Sequence, residues 1–390
     1  MIAVIADDFT GAAEIGGIGL LYGYKTAIVR QVKQIPDVEL LVIATEMRAL
    51  ESEEAALVSE RITKELLKLK PEFIFKKIDS VLRGHIVSEL EAQMKLTSQT
   101  TALIIPANPN LNRTIKEGIY YVEGRPLLES KFAEDFSFKT KSSKVLDIIG
   151  KSNGLPIANI SHYEKLPDQG LLIGNTLNTF DLHKWAEKVD NKMLPTGASG
   201  FFGAILERHG GIKGNYDQSP FIKDKKALYI CGSNFPMSKK SVMRARENGY
   251  TVISMPDGIY YDAAHNIKLI HRWAQDIIKA FESDTSVIVS VLQQPDDSAI
   301  SGKQIKHVLA TLVKLISDTV DIDELLIEGG STAYNITEKL NINVFYPVQA
   351  FAPGVTRMEV ANKKKLLLTV KPGSYVWPKS IWKFDIKIKS

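Results

Sequence analysis

The sequence predicts an α/β protein made of two α/β domains with mostly parallel sheets, the second domain ending in β-hairpins. Three observations carry this expectation. Short apolar runs alternate with helical patterns from the first residue onward, the pattern of parallel strands covered by helices. A polar segment, HGGIKGNYDQSPFIKDKK at 209–226, interrupts that alternation and reads as a linker. The 390 residues suffice for two cores at a prior of about 150 residues per domain. The predicted domains are 1–215 and 226–390.

In the first domain, strands are expected at 2–6, 25–29, 40–44, 73–77 and 102–105. The clearest helix follows Ser52. Glu53 and Glu54 give it an acidic start, Leu57, Ile62, Leu66 and Leu69 an apolar stripe to face a sheet, and Lys70-Pro71 a stop. In the second domain, strands are expected at 227–230, 251–254, 287–291 and 325–327, with helices near 237–248, 264–282 and 302–317. From residue 343 onward, β-rich segments broken by Pro353-Gly354 and Pro372-Gly373 predict hairpins.

With 44% hydrophobic and 24% charged residues, the composition excludes collagenous, disordered and disulfide-scaffold classes. Cys231 is the lone cysteine. It cannot form an intramolecular disulfide, and no Cys/His cluster has zinc-finger spacing, which together predict a reducing, cytoplasmic setting without structural zinc. The first apolar stretch stops at Asp7-Asp8, too short for a secretory signal, and no apolar run approaches the roughly 18 residues of a membrane span. Lys and Arg total 49 against 45 Asp and Glu, a formal charge of +4. That surplus is too dilute for a nucleic-acid partner and suits a small anionic molecule. The expected partner is a small-molecule substrate, with no nucleic acid and no membrane; a homo-oligomer is left open.

Asp7-Asp8-Phe9-Thr10-Gly11 ends the first strand and opens a small-residue helix, the edge at which open α/β sheets bind ligands. Adjacent carboxylates there invite a counter-charge, and Thr10 is placed to cap the helix. Either the pair is a solvated turn, or one Asp takes a proton from a substrate hydroxyl or holds a metal. Gly16-Gly17-Ile18-Gly19 fails as a dinucleotide loop because Tyr22 stands at the last glycine position. In Lys76-Lys77-Ile78-Asp79-Ser80-Val81-Leu82-Arg83-Gly84, three cations, an acid and a hydroxyl share one strand-to-helix turn. Lys and Arg there complement an anion, with Asp79 or Ser80 as cap; the plain alternative is a solvated basic face. Arg48 closes the third strand, either pointing at the same rim or making a surface ion pair.

In the second domain, Ile327-Glu328-Gly329-Gly330-Ser331-Thr332-Ala333 reads as strand, glycine pair and helix start, as does Cys231-Gly232-Ser233-Asn234 after an earlier strand. Amides at such turns cradle phosphate, or Ser331 is an ordinary N-cap. A Walker A loop is absent, since Val145 stands where its first glycine belongs ahead of Gly150-Lys151-Ser152. No HExxH motif occurs, and none of the expected strands ends in a GxSxG nucleophile elbow. The alternating tail from Trp382 to Lys389 is expected as an edge strand kept soluble by lysines.

The segments IADDFTGA, KKIDSVLRG, PANPNLNRTIKEGIYYVEGRPLL and GASGFFGAI, with GGSTA and PGV nearer the C-terminus, together resemble the four-carbon acid sugar kinases over nearly the whole chain. The resemblance implies an N-terminal domain that binds a sugar acid such as threonate, erythronate or a 3-oxo-tetronate, and a C-terminal domain that binds ATP. It also implies a substrate side made of Asp8, Arg48, Lys77, Asp79, Ser80 and Arg83, flanked by Asp7 and Thr10. Ser233, Gly329, Gly330, Ser331, Thr332, Gly354 and Gly373 would hold nucleotide. The chain departs from the family pattern in the nucleotide half: Gly-Gly-Ser-Thr replaces Gly-Gly-Glu-Thr, Gly232-Ser233-Asn234-Phe235 replaces Gly-Ser-Cys-Ser, and the final glycine-rich loop is Lys371-Pro372-Gly373-Ser374-Tyr375.

The resulting expectation is a kinase dependent on ATP and Mg2+ that phosphorylates a sugar-acid hydroxyl. Asp8 is the expected base and Asp79 the next candidate. Arg48 and Arg83 would fork onto the substrate carboxylate, and Lys77 would steady charge on the transferring group. Two readings stand beside it: a sugar-acid-binding or regulatory homologue with a weakened ATP site, and an ATP-independent aldolase or isomerase of a related acid.

Overall fold

The computed structural model describes residues 1–33, 35–130, 132, 141–219, 225–233, 235–261, 267–291, 300–361 and 365–387. They divide into two compact units, Met1–Gly214 and Asn215–Ser390.

The first unit contains strands β1 (Ile2–Ala6), β2 (Thr26–Val29), β3 (Leu40–Ala44), β4 (Ile74–Lys77), β5 (Thr101–Ile105), β6 (Arg113–Lys116), β7 (Ile119–Val122), β8 (Arg125–Pro126), β9 (Ile157–Ile160), β10 (Gly170–Gly174) and β11 (Met193–Gly197). Its helices are α1 (Phe9–Leu21), α2 (Ser52–Lys68), α3 (Ile86–Met94), α4 (Val145–Ile149), α5 (Thr179–Lys188) and α6 (Ser199–Arg208). The main sheet runs β2-β3-β1-β4-β11-β5-β10-β9, with every neighbouring pair parallel. β1 and β3 are buried along their whole length, as strands covered on both faces must be.

β9, β10 and β11 extend this sheet beyond the strands expected. Leu171-Leu172-Ile173 carries an apolar signal for β10, whereas Pro195 inside β11 reads against a central strand. A small antiparallel sheet, β6-β7-β8, was also not anticipated.

The glycines of α1 serve packing. A Cβ on Gly19 would lie 2.4 Å from Leu40 Cδ2 and 2.5 Å from Thr26 Oγ1, so a side chain there would push the helix off the sheet. The stripe expected on α2 is corrected: Ala55, Ser59, Ile62, Thr63 and Leu66 are buried, whereas Leu57 is 66% and Leu69 38% exposed. Ala55, Ser59, Ile62 and Leu66 hold the helical spacing that faces the core, and Leu57 falls on the other side.

The second unit contains β12 (Ala227–Cys231), β13 (Val252–Ser254), β14 (Ser286–Ser290), β15 (Glu324–Glu328), β16 (Val344–Ala352), β17 (Val355–Val360) and β18 (Leu367–Lys371). Its helices are α7 (Pro236–Glu247), α8 (Asp257–Tyr261), α9 (Ile267–Ala280), α10 (Gly302–Ser317) and α11 (Gly330–Lys339). The strand order is β13-β14-β12-β15-β18-β17-β16. It is parallel from β13 to β18 and antiparallel where β17 meets β16 and β18.

Pro353-Gly354 does turn a hairpin, between β16 and β17. Pro372-Gly373 does not: β18 gives way there to a segment without strands through residue 387. Nor is 382–387 an edge strand. Trp377, Trp382 and Phe384 are buried with Tyr229 in one cluster, Phe384 lying 4.9 Å from Tyr229 and 4.8 Å from Trp382 between ring centroids. Three aromatic rings offer more area to bury than an edge strand would use. Ile388 and Lys389 fall outside the described residues. Among the described residues, no helix is long and apolar enough to cross a membrane.

Candidate functional site

In the first unit, the β1-α1-β2 crossover runs one way along the sheet and β3-α2-β4 the other. Right-handed crossovers therefore place α1 and α2 on opposite faces. The C-terminal ends of β3, β1 and β4 become a switch point, where open α/β sheets take their ligands. Register brings Ala44 beside Ala6, and Ala6 beside Lys77, so the residues that follow each strand share one edge.

Asp8 is the N-cap of α1. Its Oδ1 accepts from the Gly11 amide at 2.7 Å and its Oδ2 from the Thr10 hydroxyl at 2.8 Å. The expected cap, Thr10, instead lies inside the helix and donates to the residue that does cap it.

Arg48 sits in a short 3-10 turn, Met47–Ala49, and closes its fork on Asp7, with Nε to Oδ2 at 2.9 Å and Nη2 to Oδ1 at 2.8 Å. Its Nη1 reaches Asp8 Oδ2 at 3.1 Å and lies 3.7 Å from Asp79 Oδ1. With a side chain only 21% exposed, Arg48 is not a surface ion pair. Arg83 likewise forks onto Asp79, both contacts at 2.8 Å.

Asp79 also accepts from the Val81 and Arg83 amides at 3.2 Å. Neither Asp79 nor Ser80 caps the following helix, whose N-cap position is His85. The Ser80 hydroxyl accepts from Arg113, and its carbonyl accepts from the Tyr120 hydroxyl.

The expected trio of cations at this rim is reduced to Lys77 and Arg83. Alternation along β4 sends Lys76 to the other face, where it is fully buried and ion-paired with Glu89. Lys77 stays at the edge, 3.5 Å from Glu14 Oε2 and donating to the Ile78 carbonyl at 3.0 Å.

These pairings set the acid–base state. Burial alone would raise the Asp8 carboxyl, yet Arg48, Lys77, the Thr10 hydroxyl and the Gly11 amide bring it below its ordinary value. Burial would likewise raise Asp79, but Arg83, Arg48 and Arg113 hold it well below the carboxylate range. Arg48 is driven the other way: desolvation opposes its charge, and Asp7, Asp8 and Asp79 more than restore it. The edge thus offers ionised carboxylate acceptors beside fixed cations, a setting for orienting a hydroxyl and holding an anion.

In the second unit, β12, β15 and β18 end side by side, with Ile230 beside Ile327 and Glu328 beside Lys371. The Gly329 amide donates to the Lys371 carbonyl at 2.9 Å, and the Ser233 hydroxyl donates to the Gly373 carbonyl at 3.2 Å. Gly329 itself is the N-cap of α11, with φ +94°; Ser331, the expected cap, lies in the first turn. A Cβ on Gly373 would stand 2.9 Å from Ser233 Oγ, and one on Gly232 3.7 Å from Thr332 Oγ1. Gly354 packs against Pro372 and Tyr375. Ser233, Gly329 to Thr332, Gly354 and Gly373 therefore gather at one strand edge; Asn234 lies outside the described residues. Below them, Glu328 pairs with Lys371 at 3.1 Å and accepts from Trp377 Nε1 at 2.8 Å and from Ser238.

Sequence reasoning missed Glu14, Asn108, Arg113 and Ser199, all buried at or behind the first edge. Asn108, Arg113 and Ser199 sit in segments recognised as motifs. Glu14, inside an apolar helix, is an isolated charge that the pattern alone could have flagged.

Residues 2–205 match the family model described as a sugar-binding N-terminal domain, and residues 228–375 the one described as a nucleotide-binding C-terminal domain. Fold, sites and matches together define a two-domain protein that joins a sugar-binding unit to a nucleotide-binding one. The chain belongs to the four-carbon acid sugar kinase family.

It is 34% identical over 160 residues to a D-threonate kinase of Salmonella typhimurium, covering 40% of this chain and 38% of that one. With a D-erythronate kinase of Heliobacterium modesticaldum it shares 32% over 154 residues, 38% of this chain and 35% of the relative. With a 3-oxo-tetronate kinase of Haemophilus influenzae it shares 25% over 410 aligned positions, 96% of this chain and 97% of the relative. A solved Haemophilus influenzae structure has the same fold at 22% identity and a TM-score of 0.71, covering 98% of each chain. A Salmonella typhimurium structure does so at 20% identity and 0.76, covering 98% of this chain and 97% of that one.

Proposed function

We propose that this protein transfers the terminal phosphoryl group of ATP to a hydroxyl of a four-carbon sugar acid. The observation that carries the reading is the cluster at the first unit's strand edge, where Asp7, Asp8 and Asp79 are fixed against Arg48, Lys77 and Arg83. Kinase names among the relatives support it.

The substrate hydroxyl hydrogen-bonds to the Asp8 carboxylate. Because the Asp8 pKa is lowered, Asp8 is a fixed acceptor rather than a strong base. That suits a loose phosphoryl-transfer transition state, in which the attacking oxygen gives up its proton late. Lys77 steadies charge on the transferring group, while Ser80 and Thr10 border the acid. The sugar carboxylate shares Arg48 and Arg83 with Asp7 and Asp79, which already hold their forks, instead of displacing them.

The nucleotide belongs to the second unit. A cradle that a Cβ would fill at Gly373, together with the amides from Gly329 to Thr332, fits phosphate oxygens. Bound ATP supplies the phosphoryl group. Mg2+ would arrive on its phosphates, keep several waters as ligands and neutralise phosphate charge. The lone, buried Cys231 fits a reducing, cytoplasmic setting.

The test is ADP release by purified protein with ATP and Mg2+ over a panel of four-carbon sugar acids and their stereoisomers. Turnover is expected with at least one of them. The absence of both turnover and saturable nucleotide binding would overturn the reading.

A further inference from the structure

Behind Lys77 runs a chain of buried polar groups to which the reading above gives no role. Glu14, within α1, places Oε2 3.5 Å from Lys77 Nζ and accepts from the Ser199 hydroxyl on Oε1 at 2.9 Å. Ser199, the first residue of α6, in turn accepts from Asn108 Nδ2 at 3.0 Å. Lys77 is 3%, Glu14 9%, Ser199 5% and Asn108 5% exposed, so each link is shielded from water. Three separate elements, a helix, a second helix start and the loop after β5, converge on one ammonium group.

A carboxylate is costly inside a helix as apolar as α1, where Phe9, Ala12, Ala13 and Ile15 are all buried. Glu14 is held there by the Ser199 hydroxyl, which is held in turn by the Asn108 amide. The Lys77 ammonium has three donors: one meets the Ile78 carbonyl, one faces Glu14, and no protein acceptor for the third is found among the described residues. A Cβ added to Gly11 would come within 3.3 Å of Lys77 Nζ and 2.8 Å of Asp8 Oδ1. The ammonium and the Asp8 carboxylate therefore flank the same glycine, and the absence of a side chain leaves that space open.

We propose that Glu14, Ser199 and Asn108 are positioning residues that fix the Lys77 ammonium beside Asp8, with its third N–H kept for the reacting group. This rests on the phosphoryl-transfer reading and goes beyond it by assigning the interior of α1 and the start of α6 to the reaction. It also gives a purpose to Asn108 and Ser199, within the segments PANPN and GASGFF. None of the three touches the substrate; each acts only through Lys77. Charge and orientation at Lys77 matter most when charge develops on the transferring group, so the loss belongs in kcat rather than in KM.

The test is a double-mutant cycle on kcat and on the KM for the acid, with Glu14→Gln, Lys77→Met and the double variant, and thermal melting as a check on folding. Glu14→Gln keeps the shape and the Ser199 hydrogen bond and removes the charge. It is expected to lower kcat by about tenfold with KM nearly unchanged. In the Lys77→Met background the same change is expected to cost nothing further, because its route of action is gone. Ser199→Ala, a milder change, is put through the same cycle and keeps the test decisive should Glu14→Gln fold poorly. A Glu14→Gln loss that recurs in full in the Lys77→Met background, or appears in KM instead of kcat, would show a merely structural role and overturn the proposal. Wild-type protein without turnover on any acid would overturn the functional reading, and this inference with it.

Discussion

Replacing Arg48 with Met removes the guanidinium and keeps most of the aliphatic stem, so the change isolates charge and hydrogen bonding. Three contacts disappear: 2.9 and 2.8 Å to Asp7 and 3.1 Å to Asp8. Asp7, with a side chain only 2% exposed, is left without the fork that neutralises it. Breaking one partner of a buried pair costs about 3–5 kcal/mol. Arg48 retains some solvent, and Lys77 and Arg83 remain beside Asp8 and Asp79, so the expected loss lies near the lower end, about 3 kcal/mol.

The sign of the pH dependence follows from the same contacts. In the wild type, Asp8 and Asp79 are depressed below their ordinary 3.8. They contribute stability that is present above that value and lost as the pH falls through their folded-state values. Without Arg48, both carboxyls in the folded protein bind protons more readily. The deficit of the variant is therefore largest near neutrality and narrows as the pH falls toward and below 3.8. A two-unit chain need not unfold in one step. The assay is therefore hydrogen exchange resolved to β1, β3 and β4, with β12 and β15 as an internal control. A deficit below about 1 kcal/mol at neutral pH, within the range of an exposed pair, would refute the reasoning. So would a deficit that grows on acidification.

Asp8→Asn keeps the helix cap, since an amide oxygen also accepts from the Gly11 amide. It is expected to lower kcat by about 10²-fold or more with little change in KM, the usual worth of a positioned proton acceptor; near-normal kcat in steady-state assays would remove Asp8 from that role. Gly373→Ala puts a methyl group where only 2.9 Å separates it from Ser233 Oγ. It is expected to raise the KM for ATP several-fold while leaving the KM for the acid alone, and initial-rate measurements that find the acid affected instead would contradict the assignment.

Much of the architecture was legible because buried parallel strands are continuous apolar runs: Ile2 to Ala6 and Leu40 to Ala44 could hardly be anything else. β11 was hidden by Pro195, and the segment after Pro372 misled because its aromatic residues alternate like a strand while actually filling a core. The site was legible in its residue types and less so in its pairings. Sequence could place Arg48 and Arg83 near carboxylates. It could not say that Asp7 would take the Arg48 fork, because partners 41 residues apart meet only through strand order; the Arg83 fork on Asp79, in the same turn, is a local pairing. Lys76 and Lys77 show the limit most plainly: adjacent in sequence, they are separated by the pleat, one locked to Glu89 and one left at the edge.

The central claim is that a sugar-acid hydroxyl receives the phosphoryl group of ATP. It is tested most directly by phosphorus NMR of a reaction containing the protein, ATP, Mg2+ and the acid that gives the fastest ADP release. A phosphomonoester resonance growing in step with ADP, and absent with Asp8→Asn on the same time scale, is the predicted result. ADP accompanied only by inorganic phosphate, or a phosphomonoester formed equally fast by Asp8→Asn, would contradict it.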